Sequence, residues 1–201
     1  MRKLIIATRN RHKTEELATM LGSGWVVEDL AGRRDISVPE ETGTTFEENA
    51  AIKAVAASAV IEGLVLADDS GLVVDAIEGA PGIRSARYAG DKATDRENRT
   101  RLLAELARSN HAAGESILAH FYCAMAVAEG GRVLRTFSGR VEGRIALAEA
   151  GTRGFGYDPL FIPDGYSRTF AELDSETKNR LSHRARAMEQ VVKWLADVNA
   201  P

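Results

Sequence analysis

Apolar and polar positions along the chain form short segments of two different periods, which predicts strands alternating with helices. Leu4-Ile5-Ile6-Ala7 is an unbroken apolar run, read as a buried first strand, with Thr8 to His12 as its loop. Thr14 to Leu21 follows helical spacing, with Leu17, Met20 and Leu21 toward a core. Thr45 with Glu48 predicts a capping box opening a helix whose six alanines between Ala50 and Ala59 permit close packing. Thr94 with Glu97 predicts a second box, opening a helix that carries Leu102, Leu103 and Leu106. From Ile117 to Val127 the odd positions are all apolar and so are most even ones, as in a strand buried on both faces. Gly130-Gly131 then turns the chain into a strand over Val133 to Val141. A last helix from about Ala185 to Val198 places Ala185, Met188, Val191, Val192, Leu195 and Val198 on one face. With no linker or repeat in view, the expectation is a single α/β domain over residues 1–201, two lobes around one mixed sheet.

The 201 residues suffice for a substantial core, and 44% hydrophobic with 27% charged residues is an ordinary globular balance. A net charge of −3 gives no general grip on nucleic acid or anionic membrane, so neither is expected as a partner. Cys123 stands alone, which excludes an internal disulfide and any multi-cysteine metal site. Met1-Arg2-Lys3 is basic, but the apolar run after it is too short for a signal-peptide core or a membrane span, and the expected location is cytoplasmic.

Four polar clusters carry candidate chemistry. Asp68-Asp69 ends the apolar run Leu64 to Ala67 and precedes Ser70-Gly71, an arrangement that holds a divalent metal beside a phosphate or, more simply, makes a turn. In Thr8-Arg9-Asn10-Arg11-His12-Lys13, a loop leaving a strand and entering a helix offers free N–H groups, with Thr8, Asn10 and Lys13 as added donors. The same segment also reads as an Asn10 N-cap with a solvated basic turn. Glu40 or Glu41, in the loop before the Thr45 helix, can join the Asp pair as an oxygen ligand for magnesium or merely favour the helix N-terminus. In Gly154-Phe155-Gly156-Tyr157-Asp158-Pro159, two glycines let backbone approach a flat ligand while the Phe155 ring offers a stacking surface, and Asp158-Pro159 stiffens the exit. Lys178 with Ser182-His183-Arg184 gathers donors at the mouth of the last helix, where a capping Ser and exposed basic residues serve equally well as an explanation.

In their order these motifs resemble the Ham1/RdgB family of purine nucleoside triphosphate pyrophosphatases, also called inosine triphosphatases. The resemblance runs from Thr8-x-Asn10-x-x-Lys13 through Glu41-Thr42-Gly43-x-Thr45-Phe46-x-Glu48-Asn49-Ala50 and Ala67-Asp68-Asp69-Ser70-Gly71-Leu72. It continues in Gly79-Ala80-Pro81-Gly82-Ile83-x-Ser85-Ala86-Arg87-Tyr88, in Gly154 to Pro159, and in Ser182-His183-Arg184. Arg9 and His12 depart from the small residues many relatives carry there. The resemblance implies an elongated, mixed-sheet Maf/Ham1-like α/β fold with the active-site cleft between two lobes. It also implies a homodimer, a magnesium requirement, and hydrolysis of ITP, dITP and XTP to monophosphate and pyrophosphate. By the same resemblance Asp69 is the general base or water-orienting residue, and Glu41, Asp68 and Asp69 are the metal ligands. Lys13 and Lys53 neutralise phosphate, and Thr8, Asn10 and Ser70 add neutral donors. Phe155, Gly156, Tyr157, Asp158, Lys178, His183 and Arg184 then hold substrate.

Hypoxanthine and xanthine carry a carbonyl at C6 where adenine carries an amino donor. Donors from His183, Arg184 and nearby backbone therefore accept the first two and reject adenine, and a paired polar site of this kind discriminates by about 10⁴ or more. Three rivals are a Maf-type pyrophosphatase of other base preference, a non-catalytic nucleotide sensor, and a nucleic-acid-binding protein. Ser182-His183-Arg184 with Gly154-Phe155-Gly156 argues against the first, intact Glu41, Asp68 and Asp69 against the second, and the net charge against the third.

Overall fold

The computed structural model describes residues 2–22, 24–33, 35–37, 39–109 and 115–198. Its elements run β1 (Arg2–Ile6), α1 (Arg11–Leu21), β2 (Trp25–Asp29), α2 (Phe46–Ser58), β3 (Val65–Val74) and α3 (Asp95–Leu106). They continue with β4 (Leu118–Glu129), β5 (Arg132–Ile145), β6 (Phe161–Pro163), α4 (Ser175–Leu181) and α5 (His183–Val198). Among the described residues the strands make one mixed sheet in the order β2-β1-β3-β4-β5-β6. β1 runs parallel to both β2 and β3, whereas β6 lies antiparallel to β5. The fold is α/β, as the alternating pattern predicts.

The chain divides into two compact units. One comprises the described residues of Met1–Asp69, Cys123–Gly139 and His183–Pro201, the other Ser70–Tyr122 and Arg140–Ser182. In the first unit Leu4, Ile6, Leu17, Leu66, Met125, Val127, Met188, Val191 and Leu195 share a core. Leu17 and Leu21 of α1 are buried while Met20 packs at its margin. Ala50, Ala54 and Ala57 bury the inner face of α2, where a methyl side chain lets the helix approach closely. In the second unit Phe121, Phe161 and Phe170 meet edge-on and stacked, and Leu102 and Leu106 of α3 are fully buried, each contributing roughly 1.5–3 kcal/mol.

Local chemistry sets most element ends. Thr94 and Glu97 close a reciprocal capping box at α3, with Glu97 N donating to Thr94 Oγ1 and Thr94 N donating to Glu97 Oε2 at 2.7 Å. At α2 only half of the expected box forms. Thr45 Oγ1 accepts from Glu48 N, but the Glu48 carboxylate turns to the N–H and hydroxyl of Thr44. Cys123 through Ala128 of β4 are completely buried, as expected for a strand covered on both faces. Gly130 and Gly131 both take positive φ in the two-residue link to β5, which makes that pair a tight antiparallel hairpin.

The largest departure from expectation is β3. Of the two readings of Asp68-Asp69-Ser70-Gly71, the turn does not form: the strand continues through all four residues to Val74. Pairing within the sheet overrides the local turn preference of Asp, Ser and Gly. Leu72 N donates to the buried Ser85 Oγ on the far side of that stretch.

Gly139 of β5 governs where α5 begins. A Cβ at this position would overlap the His183 carbonyl oxygen and lie 2.6 Å from Ala187 N, so strand and helix backbones meet with no room for a side chain. Gly139→Ala is expected to lower stability by about 1–3 kcal/mol, read as a lowered urea midpoint. Gly24→Ala, with nothing within 4 Å of the added atom, is the matched control and stays within about 0.5 kcal/mol of the parent.

Candidate active site

The first unit builds a buried lattice of carboxylates and ammonium groups around β3. Because side chains alternate along an extended strand, Asp68 and Asp69 leave the backbone on opposite faces, and each meets its own lysine. Lys13 Nζ, from α1, grips Asp68 at 3.1 and 2.9 Å to its two oxygens. Lys53 Nζ, from α2, lies 2.7 Å from Asp69 Oδ1 and 3.0 Å from Glu41 Oε1. Of the two candidate glutamates, Glu41 joins the lattice while Glu40 is exposed.

The loop into α1 positions Lys13 by capping the helix. Asn10 Oδ1 accepts from His12 N and Lys13 N, and Thr8 Oγ1 accepts from Asn10 N at 3.1 Å. The Asn10 N-cap is thus present, and the first turn of α1 presents Lys13 to Asp68. Arg9 has a separate task, donating to Ile36 O at 2.7 Å and so tying down the segment that leads toward Glu41.

Arg184, at the second position of α5, is 5% exposed and sits between Glu16 Oε2 at 3.3 Å and Asp68 Oδ2 at 3.4 Å. Those two carboxylates set the orientation of the guanidinium. His183 beside it is equally buried, at the point where Gly139 admits the helix. Glu16 was not among the predicted residues. It lies one turn beyond Lys13 on α1, and the spacing is the only signal its sequence offers. Asn49 carries a second unanticipated role. Buried completely, it accepts from Gly43 N at 2.9 Å and points its amide nitrogen at Asp69 Oδ2, 3.5 Å away. A Cβ on Gly43 would lie 2.6 Å from Asn49 Oδ1, so the loop carrying Glu41 rests directly on the start of α2.

This lattice gives adjacent carboxylates unlike acidities. Burial pushes Asp68 up, but Lys13, Arg184 and Lys53 together overcome it and hold the carboxyl well below the usual carboxylate range. Burial also pushes Asp69 up, and there the Lys53 ammonium does not overcome it, so this carboxyl stays above its ordinary value. Burial lowers Lys53, yet Asp69, Asp68 and Glu41 more than compensate and keep it firmly charged.

The second unit forms a closed loop from Gly154 to Pro159. The Asp158 carboxylate folds back to accept from Phe155 N at 2.9 Å and receives Lys178 Nζ, from α4, at 2.7 Å, with both charged groups buried. Gly154 and Gly156 adopt φ of 75° and 61°, which a side chain resists, and a Cβ on Gly154 would overlap the Asp158 carboxylate. Phe155 is half-buried, with the Lys178 ammonium 5.0 Å from its ring centroid. Tyr157 is buried and donates from its hydroxyl to Ser85 O at 2.9 Å, and Ser182 is buried at the end of α4. Ser70 is half-buried on β3 beside Asp69.

Magnesium can be tested against this donor set. Among the described residues no group of three His, Cys, Asp or Glu gathers to hold a metal unaided. The acids present nevertheless suit a hard cation that takes one or two protein carboxylates and completes its shell with phosphate and water.

A mixed-sheet α/β protein with two strand carboxylates, each matched to a lysine from a different helix, defines the class. The chain belongs to the Ham1 family, whose family model matches residues 4–194. It is 45% identical over 199 residues to the dITP/XTP pyrophosphatase of Listeria monocytogenes serotype 4b, covering 98% of this chain and 97% of the relative. It is 44% identical over 196 residues to the dITP/XTP pyrophosphatase of Bacillus subtilis, covering 97% and 98%. The structure of a HAM1 protein from Coxiella burnetii superposes with a TM-score of 0.87 at 37% identity, covering 98% of this chain and all of that one. Among the described residues no helix is long and apolar enough to cross a membrane.

Lys178→Met leaves the buried Asp158 carboxylate without its cation. The expected result is a loss of about 3–5 kcal/mol in equilibrium urea unfolding. The double change Lys178→Met with Asp158→Asn should recover part of that loss, because it removes the stranded charge.

Proposed function

We propose that this chain hydrolyses the non-standard purine nucleoside triphosphates ITP, dITP and XTP to the monophosphate and pyrophosphate. The dITP/XTP pyrophosphatases it resembles along almost their whole length support the reading. The observation that carries it is the Asp68–Asp69 pair, adjacent on one strand, held apart in acidity and each facing its own lysine.

Attack of water on the α-phosphorus forms a bond to the water oxygen and breaks the bond to the bridging oxygen of the β-phosphate. The water gives its proton to Asp69, and pyrophosphate departs with the electron pair. A carboxyl raised by burial is the better base for that transfer. Lys13 and Lys53 neutralise phosphate charge, and Thr8, Asn10 and Ser70 add neutral donors. A magnesium ion would be held by one or two of the carboxylates of Glu41, Asp68 and Asp69, and would supply Lewis-acid stabilisation of the developing charge. Phe155 offers the face on which the purine stacks, in the loop shaped by Gly156, Tyr157, Asp158 and Lys178. His183 and Arg184 supply donors to the purine carbonyls, with Glu16 and Asp68 fixing the guanidinium. A homodimer and a cytoplasmic setting accompany this reading.

The test is release of pyrophosphate from ITP, dITP, XTP, GTP and ATP, with magnesium and with EDTA. Monophosphate and pyrophosphate are the expected products, formed only with the metal. Diphosphate with orthophosphate would place attack at the γ-phosphorus and overturn the assignment. Asp69→Asn should abolish turnover in a folded protein, and turnover within about threefold of the parent, less than 1 kcal/mol of barrier, removes Asp69 from the reaction.

Arg184→Ala should shrink the preference for ITP over ATP by roughly ten- to a hundredfold, the value of one charged hydrogen bond in a buried site. An equal loss for every triphosphate would confine Arg184 to the support of Asp68.

A further inference from the structure

We propose that Asp95 and Arg99, two residues on one face of α3, are positioning residues for the purine: they grip both sides of Gly156 and so set the stacking face of Phe155. The inference rests on the reading of Phe155 as the base platform. Gly156 N donates to Asp95 Oδ2 at 2.7 Å, and Gly156 O accepts from Arg99 Nη1 at 2.8 Å. Positions four apart on a helix lie above one another, so one face of α3 reaches the N–H and the carbonyl of a single glycine. Neither residue is adjacent to the loop in sequence. The N-terminus of α3 is already satisfied by the Thr94–Glu97 box, and its core contacts come from Leu102 and Leu106.

The grip is itself braced. Arg99 is ion-paired with Glu149, donating from Nη2 to Oε2 at 3.1 Å with Nε 2.9 Å from Oε1, and its Nη1 donates to the glycine carbonyl. Gly156 holds φ of 61° with open space around the position of a Cβ, so its conformation is dictated by backbone bonding and not by crowding. On the other side of Phe155, Asp158 accepts the Phe155 N–H. The two peptides that flank the Phe155 Cα are thus each fixed by a charged side chain, one from within the loop and one from α3. The Phe155 ring turns on two side-chain torsions, and a fixed backbone holds the axis about which they turn.

Asp95→Ala should raise the KM for ITP by about five- to thirtyfold, with kcat within about twofold of the parent, because the bond lost orients the base and touches no reacting atom. Asp95→Asn, which keeps an acceptor oxygen, should restore most of the affinity. In a Phe155→Ala background the added effect of Asp95→Ala should fall to within about twofold, since the residue acts through that ring. Additive losses in this cycle overturn the proposal, as does an Asp95→Ala change that falls on kcat with KM intact. Amide hydrogen exchange of the substrate-free protein supplies an independent readout: the Gly156 amide should lose protection in Asp95→Ala while the amides of β4 keep theirs. Unchanged Gly156 protection overturns the grip itself. A parent protein without ITP turnover but with a Gly156 amide released by Asp95→Ala would instead defeat the functional reading and leave the grip standing.

Discussion

An extended strand cannot point neighbouring side chains the same way, and the site in the first unit follows from that single constraint at Asp68 and Asp69. Had the four residues from Asp68 to Gly71 formed a turn, both carboxylates could have shared one environment. Because β3 stays extended, Asp68 meets α1 and α5 while Asp69 meets α2, and each is ion-paired with a different lysine. Buried like charges so close together are tolerated only when each has its own compensation. The lysines, Arg184, Glu16 and Glu41 are the means of that compensation, and their elements are arranged accordingly.

Much of this was legible in the chain. The first strand, α1, the capping box of α3, the glycine hairpin after β4 and the apolar face of α5 as far as Leu195 follow from periodicity and cap chemistry, whereas Val198 of the same predicted face is exposed. The misreadings share a cause. β2 and β6 are five and three residues long, and α4 has seven, too few to display a period. Asp-Asp-Ser-Gly is locally a turn, and only neighbouring strands, distant in sequence, hold it straight. Lys13, Glu41, Asp68, Asp69 and Arg184, which meet around β3, all stand in motifs along the chain. Glu16, Asp95 and Arg99 escaped because each sits within a helix as an ordinary surface-type residue, and its partner lies elsewhere along the chain.

The two units use charge in opposite ways. In the first, a network of several acids and bases spreads compensation over many partners, so no single pair defines the state of any carboxylate. In the second, Asp158 and Lys178 make a buried pair whose role is geometric. The carboxylate shapes a loop by accepting the Phe155 N–H, and the ammonium holds the carboxylate in place. Reactive groups gain from the adjustable charge of a network, whereas a flat binding surface gains from a rigid support.

The crowding at Gly154 bears on how such a protein can diversify. Any side chain there would strike the Asp158 carboxylate, and the left-handed backbone resists substitution as well. A lineage drifting toward a new nucleobase therefore has no gradual route through that position, because the first step dismantles the loop it would refine. Gly156, with open space but the same strained backbone, is scarcely more permissive. Variation must enter through side chains that the loop carries, or through the helix that steadies it from a distance. On the proposed function, the stacking face is then inherited largely as backbone shape, which mutation can lose in one step and seldom retune.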